Sequence, residues 1–179
     1  GGFLALHFAF WITSLSYTSV AASTALVTTN PVWVTLLGWW LFGERPSFLT
    51  LLGVGVALLG GVLIGLGDSE GGGGANPLLG DFLALLGAVA ASCYFLLGRE
   101  AQRRGLSTWA YVRVAYTAAA LLLLPLPYLF GGGYGGYPLE VYAYLLLMAL
   151  LPQLVGHTSF NWATRHIPPW LAASVNRSM

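Results

Sequence analysis

Six apolar stretches of membrane-spanning length follow one another almost without interruption along the 179 residues, and a seventh begins close to the last residue. They occupy residues 1–17, 20–42, 47–67, 79–98, 108–130 and 138–163, with 168–179 as the start of the seventh. The hydrocarbon core of a bilayer is about 30 Å thick and takes about 20 apolar helical residues to cross. The sequence therefore predicts an all-α fold, a polytopic membrane helix bundle with about six complete helices and the start of another.

Composition excludes several classes of function. Charged residues make up 7% of the chain, whereas a soluble domain carries about 25%. The net charge is +1 and no basic run contains interleaved aromatic residues, so we expect no nucleic-acid partner. Cys93 is the single cysteine, which excludes an intrachain disulfide and a thiolate metal cluster. No ligand set for a metal or an organic cofactor is evident, and we expect neither.

The connections between the apolar stretches predict an orientation. Arginines occur in the second, fourth and sixth connections, at 43–46, 99–107 and 164–167, and are absent from the first, third and fifth. Short loops that carry arginine stay on the cytoplasmic side. We therefore expect Gly1 inside and the glycine-rich segments 68–78 and 131–137 outside. The turn that contains Glu44 and Arg45 is expected to hold a local ion pair.

A polar stripe follows Pro152 in the sixth stretch. Gln153, His157 and Asn161 are spaced at i, i+4 and i+8, which places them on one helical face. Polar side chains at bilayer depth face the protein interior or water and are candidates for a functional site. The structural alternative is hydrogen bonding between helices, worth about 0.6 kcal/mol per contact.

The first stretch has a matching stripe that includes His7 and Trp11. A displacement of 150 residues places His7 opposite His157 and Leu4 opposite Leu154. By the predicted topology these two stretches run in opposite directions, so the repeat is inverted. Inverted repeats are the plan of many secondary transporters, whose substrate site lies between the repeats near the middle of the membrane.

Other positions suggest local structure. Thr28, Asn30 and Pro31 predict a kink in the stretch 20–42, where hydroxyl or amide groups satisfy the carbonyl that proline frees; a hinge that lines the pathway is the alternative. Small residues repeat every four positions in two stretches, which predicts close packing of two lipid-peripheral helices. These residues are Gly53, Ala57, Gly61 and Gly65 in one stretch and Gly80, Ala84 and Ala88 in the other.

Four segments carry a resemblance to a known family: residues 16–23, Asn30-Pro31-Val32, Gly43-Glu44-Arg45 and residues 53–63. Along nearly its whole length the chain resembles the EamA-type members of the drug/metabolite transporter superfamily. The glycine-rich linker at 71–74 and the histidine at 157 depart from the family pattern.

The resemblance implies ten helices in two inverted five-helix halves. Residues 1–67 would hold helices 3–5 of the first half, 68–78 an outer glycine-rich linker, and 79–179 helices 6–8 with the start of helix 9. Helices 1, 2 and 10 would lie outside this chain.

The expected function is a membrane transporter that moves small metabolites by alternating access, an exporter by family resemblance, in the inner or plasma membrane as a multi-pass protein. A non-transporting scaffold and a membrane-embedded enzyme are the alternatives; the enzyme lacks a catalytic constellation, so we expect no enzyme. The expected partners are the bilayer and a small-molecule substrate, and a homodimer is left open. The candidate residues of the substrate cavity are His7, Trp11, Thr28, Asn30, Gln153, His157 and Asn161.

Overall fold

The computed structural model describes residues 1–70, 74–159 and 161–162, and the side chains of residues 64–70 are outside that description. Across the described residues the regular structure is helical. The α-helices are α1 Gly2–Ser14, α2 Val20–Val27, α3 Asn30–Phe42, α4 Phe48–Glu70, α5 Pro77–Arg103, α6 Thr108–Leu123, α7 Leu126–Leu129 and α8 Leu139–Met148, and a π-helical stretch follows at Ala149–His157. The predicted all-α polytopic bundle is confirmed.

Within the described part of the chain, four spans are long and apolar enough to cross a membrane. These spans are Val20–Phe42, Pro77–Arg103, Thr108–Leu129 and Leu139–His157, and Gly2–Ser14 and Phe48–Leu63 are shorter apolar helices. The protein is therefore an integral membrane protein. The predicted seventh stretch, 168–179, lies outside the described residues.

The predicted kink in the second stretch is present between α2 and α3. The Thr28 hydroxyl donates to the Ala25 carbonyl and the Thr29 hydroxyl to the Leu26 carbonyl, at 2.9 and 2.6 Å. Pro31 has no N–H to donate to the Val27 carbonyl, and the two hydroxyls bond to carbonyls in the turn just before that break. Pro152 lies inside the π-helical stretch Ala149–His157.

Helix α5 occupies the centre of the described bundle, with α1, α2, α3, α4 and α6 packed around it. Its small residues let neighbouring backbones approach. A Cβ at Gly87 would lie 3.4 Å from the backbone nitrogen of Trp11 and 3.4 Å from Val27 Cγ2. The expectation that both helices with small-residue stripes are peripheral is wrong for α5, because Ala84 and Ala88 of its stripe are fully buried.

Helix α4 packs over only part of its predicted seam. A Cβ at Gly53 would meet no atom within 4 Å, whereas one at Gly61 would lie 3.5 Å from Leu26 Cδ2. Gly65 lies outside the described side chains. Most large apolar side chains of α4 are exposed, which suits a face turned to lipid.

Polar contacts join the helix ends at both ends of α5. At one end the Thr18 hydroxyl donates to Asp81 Oδ1 at 2.8 Å. At the other end Arg99 Nη2 lies 2.7 Å from Glu44 Oε1 and its guanidinium lies over the Phe42 ring at 5.7 Å. The expected local pair of Glu44 with Arg45 is therefore wrong. Glu44 instead ties the end of α3 to α5.

Candidate solute-binding site between α1, α5 and the π-helical stretch

His7 is anchored on α5. The side chain is buried, and its Nδ1 lies 2.9 Å from the Gly87 carbonyl oxygen. Because a carbonyl only accepts, Nδ1–H must donate in this contact. The neutral ring then keeps an acceptor at Nε2. The absence of a side chain at Gly87 lets α1 come close enough for this bond.

Aromatic rings pack around His7 and His157. The centroids of the two imidazole rings are 6.5 Å apart. Trp11 stacks on His7 with a centroid distance of 5.8 Å and an interplanar angle of 23°. Phe95 lies 5.8 Å and Phe8 6.5 Å from His157. These five residues, His7, Phe8, Trp11, Phe95 and His157, are the histidine cluster.

Two polar atoms of the histidine cluster are buried without a hydrogen-bond partner among the described residues: Trp11 Nε1 and His157 Nδ1. A buried polar atom left unpaired costs about 1–3 kcal/mol. Such atoms are uncommon in folded proteins and call for an explanation, of which a ligand is one. Each of these two atoms could bond to a solute that brings a hydrogen-bonding group within its reach.

The three residues of the predicted polar stripe, Gln153, His157 and Asn161, contact different neighbours. His157 contributes to the histidine cluster, as described above. Asn161 is 1% exposed, and its Nδ2 donates to the Tyr94 hydroxyl and to the His157 carbonyl, each at 2.8 Å. Gln153 is half-buried, and its main-chain carbonyl accepts from the Tyr116 hydroxyl at 3.2 Å. Asn161 thus has the contacts of a packing residue.

Thr28 and Asn30 lie at the kink of the second span rather than in the histidine cluster. Thr28 is exposed. Asn30 accepts at its main-chain oxygen from the Ser92 hydroxyl at 3.2 Å, while its Oδ1 is buried without a partner among the described residues. Neither side chain hydrogen-bonds to the cluster. The structure therefore brings together His7, Trp11 and His157 and leaves these two apart.

Sequence analysis missed Tyr94, which lies at the centre of this region. Its side chain is 2% exposed and belongs to the core cluster with Leu4 and Ala115. Its main-chain carbonyl accepts from the Tyr111 hydroxyl at 2.8 Å. A usable signal exists in the sequence, because Tyr94 continues the helical face of Gly87 and Ala91 at i+7. One large side chain within a small-residue face indicates a point where a partner helix packs.

Cavities lie on either side of this region. One of about 430 Å³ is lined by Gly2, Tyr94 and Tyr111, among others. Another of about 560 Å³ has Phe8 and Ile12 on one wall and the segment after α6 on the other. Within the described ranges, no three His, Cys, Asp or Glu side chains gather as a metal site would require.

Comparison with known families gives one finding. The family model described as the EamA-like transporter family matches residues 2–66 and 78–179. Neither the curated proteins nor the solved structures contain a match to this chain.

Proposed function

The chain belongs to the EamA-like transporter family, and we propose that it moves small metabolites across the membrane by alternating access, in the direction of export. Its location would be the inner or plasma membrane, with the bilayer and a small solute as its partners and a homodimer left open. No enzymatic activity is part of this proposal. The family and the apolar spans support the transporter class.

One observation carries the assignment of a site. His7 on α1 and His157 on the span Leu139–His157 face each other at 6.5 Å. They are also the positions that correspond in the inverted repeat. A pair of this kind supports a site between two repeats near the middle of the membrane, where transporters of repeated design bind their substrate.

The division into halves is part of the same proposal. We assign residues 1–67 to helices 3–5 of the first half, 68–78 to an outer linker, and 79–179 to helices 6–8 and the start of helix 9 of the second half. The family match falls into two ranges, 2–66 and 78–179, and this supports a boundary in the linker.

A flux measurement on the full-length protein tests the function. Proteoliposomes are loaded with a panel of labelled amino acids, nucleosides and other small metabolites, and efflux is compared with that of protein-free vesicles. Cells that overproduce the protein should also accumulate less of the exported solute. A scaffold or an enzyme would move none of the panel, and that result would contradict the proposal.

Substitution at the site then tests the residues. His157→Ala should reduce flux about 5- to 30-fold, because the loss of one or two hydrogen bonds of about 1 kcal/mol each corresponds to that factor. Leu63→Ala, on the exposed face of α4, is the control and should retain wild-type flux. Equal flux in both variants at equal expression would move the site away from His157.

A further inference from the structure

We propose that His7 and His157 together bind a single proton and that the transporter exchanges this proton for its solute. The inference rests on the proposed function, because it names the coupling ion of the same site. It starts from two imidazole rings that face each other in the bundle with one nitrogen, His157 Nδ1, buried and unpaired among the described residues.

The spacing of the rings suits a shared proton. His7 Nδ1 is engaged by the Gly87 carbonyl, so Nε2 of the neutral ring is available as an acceptor. At a centroid distance of 6.5 Å, the nitrogens are too far apart for a direct bond. Two hydrogen bonds of about 2.8–3.0 Å through one oxygen atom span at most about 6 Å, so such a bridge would join nitrogens on the facing edges of the two rings. A small closure of the bundle would replace the bridge by a direct N–H···N bond.

The surroundings favour one proton over two. Among the described residues, no ion pair or hydrogen bond joins an acidic or basic side chain to either imidazole, and the two rings that can ionise here lie 6.5 Å apart. A second proton would place two positive charges side by side in an apolar setting, with no counter-charge. Two such groups titrate as a unit.

The other ionisable groups near the pair are phenols and are already engaged. From α5, the Tyr94 hydroxyl accepts from Asn161. From α6, Tyr111 donates to the Tyr94 carbonyl and Tyr116 donates to the Gln153 carbonyl. The other ring neighbours, Phe8, Trp11 and Phe95, do not ionise. The carboxylates of α5 are engaged elsewhere, Asp81 by Thr18 and Glu100 by Arg104.

Exchange follows from competition for the same nitrogens. A proton passes from hydronium in the water on one side to an imidazole nitrogen and later returns to water on the other side, so no other reactant is needed. A solute whose hydrogen-bonding atom occupies the space between the rings removes the bridge that holds the proton. His7 lies in the proposed first half and His157 in the proposed second half. The histidine pair therefore holds the two halves at one separation when it is protonated and at another when it binds the solute.

The first test counts protons. Purified full-length protein in detergent is titrated from about pH 8 to 5, the range in which histidine ionises, with a pH indicator dye as the probe. His7→Gln, His157→Gln and the double variant should each bind one proton fewer than wild type. The control is His166→Gln, since His166 is the third histidine of this chain. This substitution should change the number of bound protons by the same amount in wild type and in the double variant.

The loss must be non-additive. A double variant that loses two protons would show independent titration and would overturn the shared site, as would variants that lose none. If His7→Gln does not fold, histidine-labelled wild-type protein decides by NMR. The ring signals of His7 and His157 should shift together over one pH interval, and separate transitions would refute the sharing.

The second test separates this inference from the proposed function. Proteoliposomes that contain a pH dye are given a solute from the metabolite panel that the protein moves. Solute efflux should drive proton uptake in wild type, and the two histidine variants should lose this proton movement. Solute flux that ignores the pH gradient overturns the exchange and leaves the transporter assignment intact. A shared proton without flux of any solute overturns the exchange together with the proposed function.

Discussion

The substitution Gly80→Ala should destabilise the protein strongly, although it adds one methyl group. Gly80 lies near the start of α5 and is buried. A Cβ built there would lie 2.6 Å from Thr18 Cβ and 2.7 Å from the Thr18 backbone nitrogen. Comfortable contacts between carbon atoms are about 3.5–4.0 Å. A change of rotamer cannot move these two atoms, so the backbone around Thr18 must shift by about 1 Å.

The shift has two costs. Overpacking in a well-packed interior costs about 1–3 kcal/mol. The displaced Thr18 hydroxyl would also weaken its 2.8 Å hydrogen bond to Asp81, and a hydrogen bond to a charged group contributes about 1.5–3 kcal/mol. The total is about 2–5 kcal/mol, which corresponds to a fall in Tm of roughly 5–15 °C for a chain of this size.

Thermal unfolding in detergent, followed by tryptophan fluorescence, measures this effect. Gly53→Ala is the matched control, because a Cβ at Gly53 would meet no atom within 4 Å. It should leave Tm unchanged or raise it by up to about 4 °C, since alanine is favoured over glycine inside a helix by about 1 kcal/mol. If Gly80→Ala and Gly53→Ala melt together, the close approach of the Thr18 turn to α5 does not exist.

Two further predictions concern the ends of the helices. Arg99→Ala should lower Tm more than Glu44→Ala, because Arg99 loses the ion pair and also its position over the Phe42 ring; each contact is worth about 1 kcal/mol or less, and equal shifts would contradict the cation–π contribution. In a cysteine-free background, cysteine at Tyr137 should react with an impermeant thiol reagent from outside and cysteine at Arg103 should not. The reverse pattern would invert the predicted orientation.

Much of the fold is predictable because the bilayer imposes simple requirements. The lengths of the apolar stretches predicted the four spans of the described residues, since a helix must cover the hydrocarbon core, whereas the first and third stretches form shorter apolar helices there. Pro31 marked the kink between α2 and α3, because proline removes a backbone donor. The sequence also placed His7 and His157 at corresponding positions of a predicted inverted repeat, although it did not predict that their rings meet.

The roles of the small-residue stripes were not predictable from the sequence. α4 and α5 both carry small residues every four positions, and spacing alone cannot say what packs on them. In the structure a Cβ at Gly80 would meet Thr18, whereas one at Gly53 would meet no atom within 4 Å. Which stripe is central depends on tertiary neighbours that are distant in the sequence.

Long-range polar contacts were missed for the same reason. Gln102 falls in a connection that sequence analysis treats as exposed, yet it is buried. Its Oε1 accepts from the Thr108 hydroxyl at 2.6 Å, and its Nε2 donates to the Asn161 carbonyl at 3.4 Å. Local charge patterns likewise suggested that Glu44 pairs with Arg45, because a partner 55 positions away leaves no local signal.

The two ends of α5 bear on how the proposed halves would move. If α5 begins the second half, the contact of Thr18 with Asp81 and that of Glu44 with Arg99 each join one half to the other at opposite ends of the same helix. A rocking motion that opens one end stretches the contact at that end and preserves the contact at the other end.

Thr18→Ala should therefore favour opening at the end of Asp81, and Glu44→Ala should favour opening at the end of Arg99. Thiol accessibility of cysteines placed beside each contact would measure this. Identical accessibility changes in both variants would show that α5 moves together with α1–α4, and the boundary between the moving parts would then lie after α5.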